Sequence, residues 1–239
     1  MKFIFTLLLF TSFFALLGQQ TKELDESLTG DEVVEKYIQA LGGKSAIKNI
    51  KYCKIKLDIF LDDVYMQGFL YQKEPDNYLM YVVLGDDTIQ THIFNGKKGK
   101  YKDIEGETEF YAEELDEFRY NATNFIELYF HKLGFVAEMQ GIEKLGEYDV
   151  YKVEITKQDE RKQIIYYEGN SGLKVKTIEK KETREGRVDY SVVYRKYKII
   201  KGVKFPFEKV VRYGKHKIIM NVVAIDVKNK FNDNIFKIK

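Results

Sequence analysis

Apolar and polar residues alternate along most of the chain after residue 50. In the first such segment Cys53, Ile55, Leu57 and Ile59 are separated by Lys or Asp, a period of two that predicts a half-buried strand. Similar runs follow at 64–72, 77–84, 88–94, 98–103, 136–145, 149–156, 162–168, 173–182, 188–200, 205–213 and 217–227. Short Gly, Asp and Asn-Gly spacers separate them and favour hairpins. The pattern predicts a mainly β, antiparallel sheet of about eleven strands.

Helical spacing appears in two places. Thr29 and Glu32 form a capping-box pattern, and the apolar residues from Val33 to Leu41 lie on one helical face until Gly42-Gly43 ends it. The acidic segment 105–120 is predicted to be weakly helical, and the apolar cluster 125–130 helical. A sheet this wide tends to curl. We therefore expect a curved antiparallel half-barrel, with the N-terminal helix and a helical insertion over its concave side, which they either fill or leave as a cavity.

The first 18 residues have the pattern of a secretory signal peptide. Lys2 is followed by the apolar run 3–17 and then by the small Gly18. The run is shorter than the ~20 residues that span a bilayer. We predict cleavage near Gly18, a periplasmic mature protein with one domain over 19–239, and no lipidation at position 19, since Gln19 is not a cysteine. An uncleaved N-terminal anchor is the alternative.

Composition indicates a globular protein, and its charge is unevenly distributed along the chain. Hydrophobic residues make up 44% of the chain and charged residues 32%. Residues 1–119 hold 14 Lys and Arg against 21 Asp and Glu, whereas residues 120–239 hold 25 against 16. The basic half favours either an anionic membrane surface or lipid headgroup as a contact, or a solvated sheet face.

No pattern in the sequence indicates a catalytic, metal or cofactor site. His92, His131 and His216 each lack a second ligand at i+2 or i+4, so we predict no zinc site and no other metal. Cys53 is the single cysteine and is predicted to be a buried apolar residue. Walker loops, EF-hands and nucleophile elbows are absent from the sequence. We expect no enzyme activity, no cofactor and no nucleic-acid partner.

Short motifs follow one another along the chain in a definite order: Ala40-Leu41-Gly42-Gly43, Ile47-Lys48, Lys73-Glu74-Pro75-Asp76, Phe94-Asn95-Gly96-Lys97-Lys98-Gly99, Gly141-Ile142-Glu143, Tyr151-Lys152-Val153, Tyr166-Tyr167, Gly172-Leu173, Tyr197, Gly202-Val203-Lys204-Phe205-Pro206, Asn229, Phe231 and Phe236. Their order resembles that of the LolA-like superfamily of periplasmic lipoprotein carriers, in particular the lipoprotein-sorting-like proteins of Bacteroidetes type. Two features depart from the family. The chain has no Trp after the Asn-Gly hairpin, where Tyr101 lies nearby, and no arginine is assignable to a cavity.

The resemblance implies a half-barrel around a hydrophobic cavity that shelters acyl chains during outer-membrane lipoprotein sorting. We therefore expect a periplasmic transport protein that binds an apolar ligand, a lipid or a lipoprotein acyl chain, with transient contacts to a membrane or an envelope protein. The alternative is a non-catalytic envelope interaction or structural protein with a filled core, for example an accessory to a peptidase. The candidate cavity-lining residues are Ile55, Leu57, Ile59, Phe125, Leu128 and Tyr129.

Overall fold

One open curved sheet organises the residues that the computed structural model describes, which are 24–110, 115–183 and 186–238. The predicted signal peptide at 1–18 lies outside these residues. The sheet contains thirteen antiparallel strands within the described part of the chain, in the order β6-β5-β4-β3-β2-β1-β13-β12-β11-β10-β9-β8-β7. The chain therefore builds one half of the sheet outward from β1, crosses to the far edge at β7, and returns strand by strand until β13 pairs with β1.

The strands follow the sequence alternation closely. Their bounds are β1 Tyr52–Leu61, β2 Val64–Lys73, β3 Asn77–Leu84, β4 Asp87–Asn95, β5 Gly99–Asp103, β6 Glu107–Phe110, β7 Val136–Leu145, β8 Tyr148–Thr156, β9 Lys162–Glu168, β10 Lys174–Thr183, β11 Gly186–Ile200, β12 Val203–Tyr213 and β13 His216–Asp226. The mainly β, antiparallel prediction is confirmed. The predicted number of strands was about eleven, and the structure has two more.

One segment differs from its predicted state. The acidic stretch predicted to be weakly helical contains strand β6, and in its described part helix α3, Leu115–Ala122, begins only at residue 115. Cross-strand pairing explains the difference, because Glu107 lies 2.6 Å from the Lys100 ammonium of β5. Because side chains alternate along β6, Phe110 lies on the face opposite to Glu107. Its ring centroid is 5.1 Å from that of Phe118 in α3.

Three helices and two short 3-10 segments complete the described chain. Helix α1 spans Gly30–Leu41, α2 spans Gly43–Lys48, and 3-10 segments span Ile126–Tyr129 and Asp233–Phe236. The predicted capping box is present: the Thr29 hydroxyl accepts from the Glu32 amide and the Glu32 carboxylate accepts from the Thr29 amide. No helix in the described ranges has the length and apolar character needed to cross a bilayer.

Helix α1 lies unusually close to the sheet. A Cβ at Gly30 would be 2.4 Å from the Ala137 carbonyl oxygen of β7, and a Cβ at Gly42 would be 2.1 Å from the Gly202 carbonyl oxygen at the start of β12. Both distances are far below any real contact. A glycine at each end of α1 therefore lets the helix backbone reach the sheet backbone, which fixes where the helix covers the sheet.

We call the sheet face on which α1 and α3 pack the inner face. Strand β1 contributes Cys53, Ile55, Leu57, Ile59 and Leu61 to it, since alternate residues share a face. A first core cluster lies under α1, and a second, containing Phe94 and Phe118, lies under α3. The C-terminal 3-10 segment packs on the opposite, outer face of β3 and β4.

Gly30→Ala should destabilise the fold by about 1–3 kcal/mol, because the added methyl group overlaps the backbone of β7. Intrinsic helix propensity alone predicts the opposite effect, a rise of up to about 1 kcal/mol in the free energy of unfolding. Urea unfolding followed by circular dichroism measures the difference. Gln39→Ala, at an exposed position of the same helix, is the control for propensity. An unchanged or raised stability of Gly30→Ala would contradict the close approach.

Candidate functional site

A third apolar cluster covers the middle of the inner face, and we call it the inner apolar patch. Leu57, Ile59, Met66 and Val82 form its buried centre. Partly exposed apolar side chains surround them: Ile55, Leu61, Met80, Ile89, Ile218, Met220 and Val222. All of these residues come from β1, β2, β3, β4 and β13. The patch is therefore built entirely by the sheet.

The helices cover the two flanks of this patch. Helices α1 and α2 and the 3-10 segment at 126–129 belong to the first cluster, whereas α3 belongs to the second. None of the residues that form the inner apolar patch lies on a helix of the described chain. Ile55 belongs to the patch and also packs against the first cluster. Met80 belongs to the patch and also packs against the second cluster. The covered and uncovered parts thus form one apolar surface.

Strand register connects the patch to a polar region. Met66 pairs with Ile59, Ile59 with Met220, Met220 with Lys209, and Lys209 with Tyr194. These five residues form a row across β2, β1, β13, β12 and β11, on one face of the sheet. Neighbouring strands are about 4.8 Å apart, so the three apolar residues span about 10 Å before the row reaches the lysine.

The polar region contains a buried ion pair. Glu127, 5% exposed, accepts from the Lys174 ammonium. The same ammonium lies 5.4 Å from the ring centroid of Tyr37 and 4.8 Å from that of Tyr194. Burial alone would lower the pKa of Lys174, but the Glu127 carboxylate together with Tyr194 and Tyr197 outweighs burial, and the pKa is raised. Lys174 therefore remains charged inside the inner face.

An unusual backbone conformation places Glu127 there. Phe125, just before the 3-10 segment, has φ 51°, a left-handed value that costs a bulky residue energy. Packing compensates, because the Phe125 ring centroid is 5.1 Å from that of Phe205 in β12. The turn places the Glu127 carboxylate against Lys174 of β10. The insertion is thus joined to the sheet by an aromatic contact and by an ion pair.

Lys209 is the second lysine of this region. It is partly buried, and its ammonium lies 5.9 Å from the ring centroid of Tyr194, on which Lys174 also packs. No carboxylate within the described ranges forms a salt bridge with it. Burial, and secondarily the charge of Lys174, lower the pKa of Lys209 from 10.5 to about 8. The inner face therefore has two lysines and one carboxylate at this point.

The buried hydroxyl of Tyr167 adds a further polar group. Tyr167 is 1% exposed, and its hydroxyl has no hydrogen-bond partner in the described structure. Its ring centroid is 5.2 Å from that of Tyr37 in α1. Burial and the nearby Glu127 charge both raise the pKa of Tyr167, so its hydroxyl keeps its proton and can act as a donor.

Comparisons with known proteins identify the fold. Neither the protein-family models nor the curated proteins give a match to this sequence. Two solved structures do match: LolA superfamily protein NE2245 from Nitrosomonas europaea, with a TM-score of 0.58, and a DUF1329 family protein from Desulfovibrio piger, with a TM-score of 0.59. The chain has a LolA-like fold.

The match extends over nearly the whole of each structure. The Nitrosomonas protein is 11% identical, over 88% of this chain and 98% of its own. The Desulfovibrio protein is 10% identical, over 87% of this chain and 95% of its own. At such identities the likeness concerns the LolA-like fold alone. The resemblance inferred from the short motifs is therefore confirmed for the fold.

Within the LolA-like sheet, the six predicted lining residues divide into three groups. Leu57 and Ile59 lie in the inner apolar patch, with Ile55 at its border with the first cluster. Phe125 and Leu128 pack against the first cluster and lie outside the patch. Tyr129 lies apart, and its hydroxyl donates to Glu74 over 3.3 Å.

Sequence reasoning missed the polar part of the site and most of the apolar part, since only Ile55, Leu57 and Ile59 of the inner apolar patch were predicted. Lys209 carried a usable signal, because it takes the inward position in the alternation of Phe205, Phe207 and Val211 along β12. Met220 shares the inward positions of β13 in the same way. Glu127 and Lys174 gave no signal in the sequence, because only the path of the helical insertion through the folded structure brings them together.

Other clefts and polar groups lie outside this site. A groove of about 510 Å³ between β4, β5 and the C-terminal segment is on the outer face. A second groove, of about 450 Å³, is lined mainly by charged residues of 159–161 and of β9 to β11, together with Ile164 and Ile178. Neither contains a predicted lining residue. Cys53 is buried, which raises the pKa of its thiol to about 12. Across 24–110, 115–183 and 186–238, no three His, Cys, Asp or Glu side chains are grouped to hold a metal ion.

Lys209→Met should stabilise the ligand-free protein at pH 7 by about 1–3 kcal/mol, because a lowered lysine pKa means that the folded state disfavours the charge. Between pH 8 and 10.5 the unfolded chain binds more protons at this residue than the folded one. The stability of the unsubstituted protein therefore rises with pH, and the advantage of the variant shrinks.

Urea unfolding at pH 7 and pH 9.5 measures this effect. Lys198→Met is the matched control, since Lys198 also packs on an aromatic ring, that of Phe207 at 4.4 Å, but is exposed. A loss of stability on Lys209→Met at pH 7, larger than that of the control, would show that the Lys209 charge is well accommodated.

Proposed function

We propose that the protein is an exported, non-catalytic carrier that binds an apolar ligand, a lipid or an acyl chain, on the inner apolar patch. The observation that supports this proposal is the partly exposed apolar surface in the middle of the inner face, between the regions that α1 and α3 cover. A sheet that only had to fold would gain by covering this surface.

The energetics favour such a ligand. Each methylene group moved from water to an apolar surface contributes about 0.8 kcal/mol. The patch offers long, adaptable side chains, Met66, Met80 and Met220, which adjust to chains of different shape. Its continuity with the first cluster through Ile55 provides a deeper apolar contact for one end of the ligand.

The LolA-like fold and the sequence pattern support the same proposal. The resemblance implies shelter of acyl chains in transit to the outer membrane, and the pattern of residues 1–18 implies export to the periplasm. We therefore place the protein in the periplasm, with a lipid or lipoprotein acyl chain as its ligand and a membrane or envelope protein as its transient contact.

A second candidate is a non-catalytic envelope interaction protein that uses the outer face. Stacked aromatic rings favour it: the centroids of Phe69 and Tyr81 are 4.9 Å apart, and those of Tyr71 and Tyr81 are 6.3 Å apart. We call these three rings, Phe69, Tyr71 and Tyr81, the outer aromatic ladder. The ammonium of Lys56 lies 5.7 Å from the ring centroid of Phe69, and that of Lys54 lies 5.2 Å from the ring centroid of Tyr71. Aromatic residues are enriched at protein interfaces.

Native mass spectrometry of protein purified without detergent tests the carrier proposal. We expect a bound acyl species, released on activation, and we expect Leu57→Glu to lose at least about tenfold in binding, because a carboxylate in the patch must be desolvated. Ile218→Gln places a neutral polar group at a partly exposed patch position and should weaken binding with less risk to folding.

Ile199→Glu is the control, since Ile199 is 66% exposed and lies outside the patch. Circular dichroism confirms that each variant folds. A protein that carries no lipid and takes up none when lipid is added would overturn the carrier proposal and favour the interaction protein.

A further inference from the structure

The charges around Tyr194 do not balance. Two ammonium groups lie near its ring, that of Lys174 at 4.8 Å and that of Lys209 at 5.9 Å. The Glu127 carboxylate binds Lys174. No carboxylate in the described part of the chain forms a salt bridge with Lys209. A partly buried cation without a counter-ion is costly, and an anion placed beside it removes most of that cost.

The position of Lys209 relative to the patch suits an amphipathic ligand. Lys209 pairs with Met220, and Met220 pairs with Ile59, so the ammonium stands where the apolar row ends. A straight chain lying along this row would place its terminal group at Lys209. The hydroxyl of Tyr194 lies on the same side and is 3.4 Å from the Thr177 hydroxyl.

We infer that Lys209 binds the anionic head group, a carboxylate or a phosphate, of the acyl ligand whose chain lies on the inner apolar patch. This inference rests on the proposed carrier function and specifies which class of amphiphile the site accepts. Neutral amphiphiles of the same chain length fill the patch but leave Lys209 without a counter-ion. The site thus selects by charge at one end and by apolar contact along the rest.

The groups that face Lys209 limit its pH dependence. They are Lys174 of β10, Glu127 of the 3-10 segment, Cys53 of β1 and Tyr194 of β11. The pKa values of Lys174 and Cys53 are both raised, so both keep their protons near neutral pH. Lys209, with a pKa of about 8, loses its charge as the pH rises from 7 to 9.5. Binding of an anionic head group should weaken over the same interval.

Isothermal titration with three probes of equal chain length tests the inference: palmitate, hexadecyl phosphate and palmitamide. We expect the unsubstituted protein to bind one or both anions more tightly than palmitamide. Lys209→Met should lose about 10- to 100-fold in affinity for the anions and little for palmitamide, since one charge-assisted hydrogen bond is removed. The preferred anion identifies the head group as a carboxylate or a phosphate.

Two variants serve as controls. Lys209→Arg keeps its charge at pH 9.5 and should retain anion binding there, whereas the unsubstituted protein loses it. Lys198→Met removes an exposed lysine and should bind all three probes normally.

The outcomes separate the two proposals. Equal affinity for palmitate, hexadecyl phosphate and palmitamide, unchanged by Lys209→Met, would overturn the head-group inference while leaving the carrier proposal intact. Failure of all three probes to bind the folded protein would overturn the carrier proposal itself.

Discussion

A wide sheet has a large apolar face, and this chain has few elements with which to cover it. Thirteen strands in the described residues present one continuous inner face, and the helices that pack on it are at most twelve residues long. Helix α1 covers the β7, β8 and β12 region and α3 covers β3 and β4. The strands between them, β1, β2 and β13, carry most of the inner apolar patch, and residues of β3 and β4 complete it. Its location follows from where the helices lie.

The helix positions are fixed by specific contacts. Gly30 and Gly42 bring α1 against the sheet backbone, so the helix cannot slide towards the patch without losing this fit. The ion pair between Glu127 and Lys174 holds the 3-10 segment over β10. A buried ion pair is weak evidence for stability, but it defines one arrangement among many. In the same region Lys209 forms no salt bridge with a carboxylate of the described residues, an unfavourable feature that an anionic ligand would relieve.

Local patterns predicted the elements better than the site. The run predicted at 136–145 is strand β7 with the same bounds, and the capping box at Thr29 is present. Both depend on nearest neighbours along the chain. Strand β6 was missed because its acidic residues look solvated until Lys100 of β5 is placed beside them.

The site depends on contacts between distant parts of the chain. Leu57 and Ile59 were predicted from alternation alone, and they lie in the patch. Tyr129 was predicted with them, but the turn at Phe125 directs it to Glu74 instead. Whether an inward residue faces a helix or an open surface depends on the helix positions, and the alternation of apolar and polar residues does not predict these positions. For the same reason, the pattern could not separate a filled concave side from a cavity.

Photo-crosslinking with a fatty acid that carries a diazirine in its chain tests the central claim most directly, because mass spectrometry of the digested protein locates the ligand. The account predicts adducts on the partly exposed side chains of the patch, at Leu61 of β1, Met80 of β3 and Met220 of β13, reduced by excess unlabelled fatty acid. Adducts confined to the outer aromatic ladder at Phe69 and Tyr81, or to the groove beside the C-terminal segment, would contradict it.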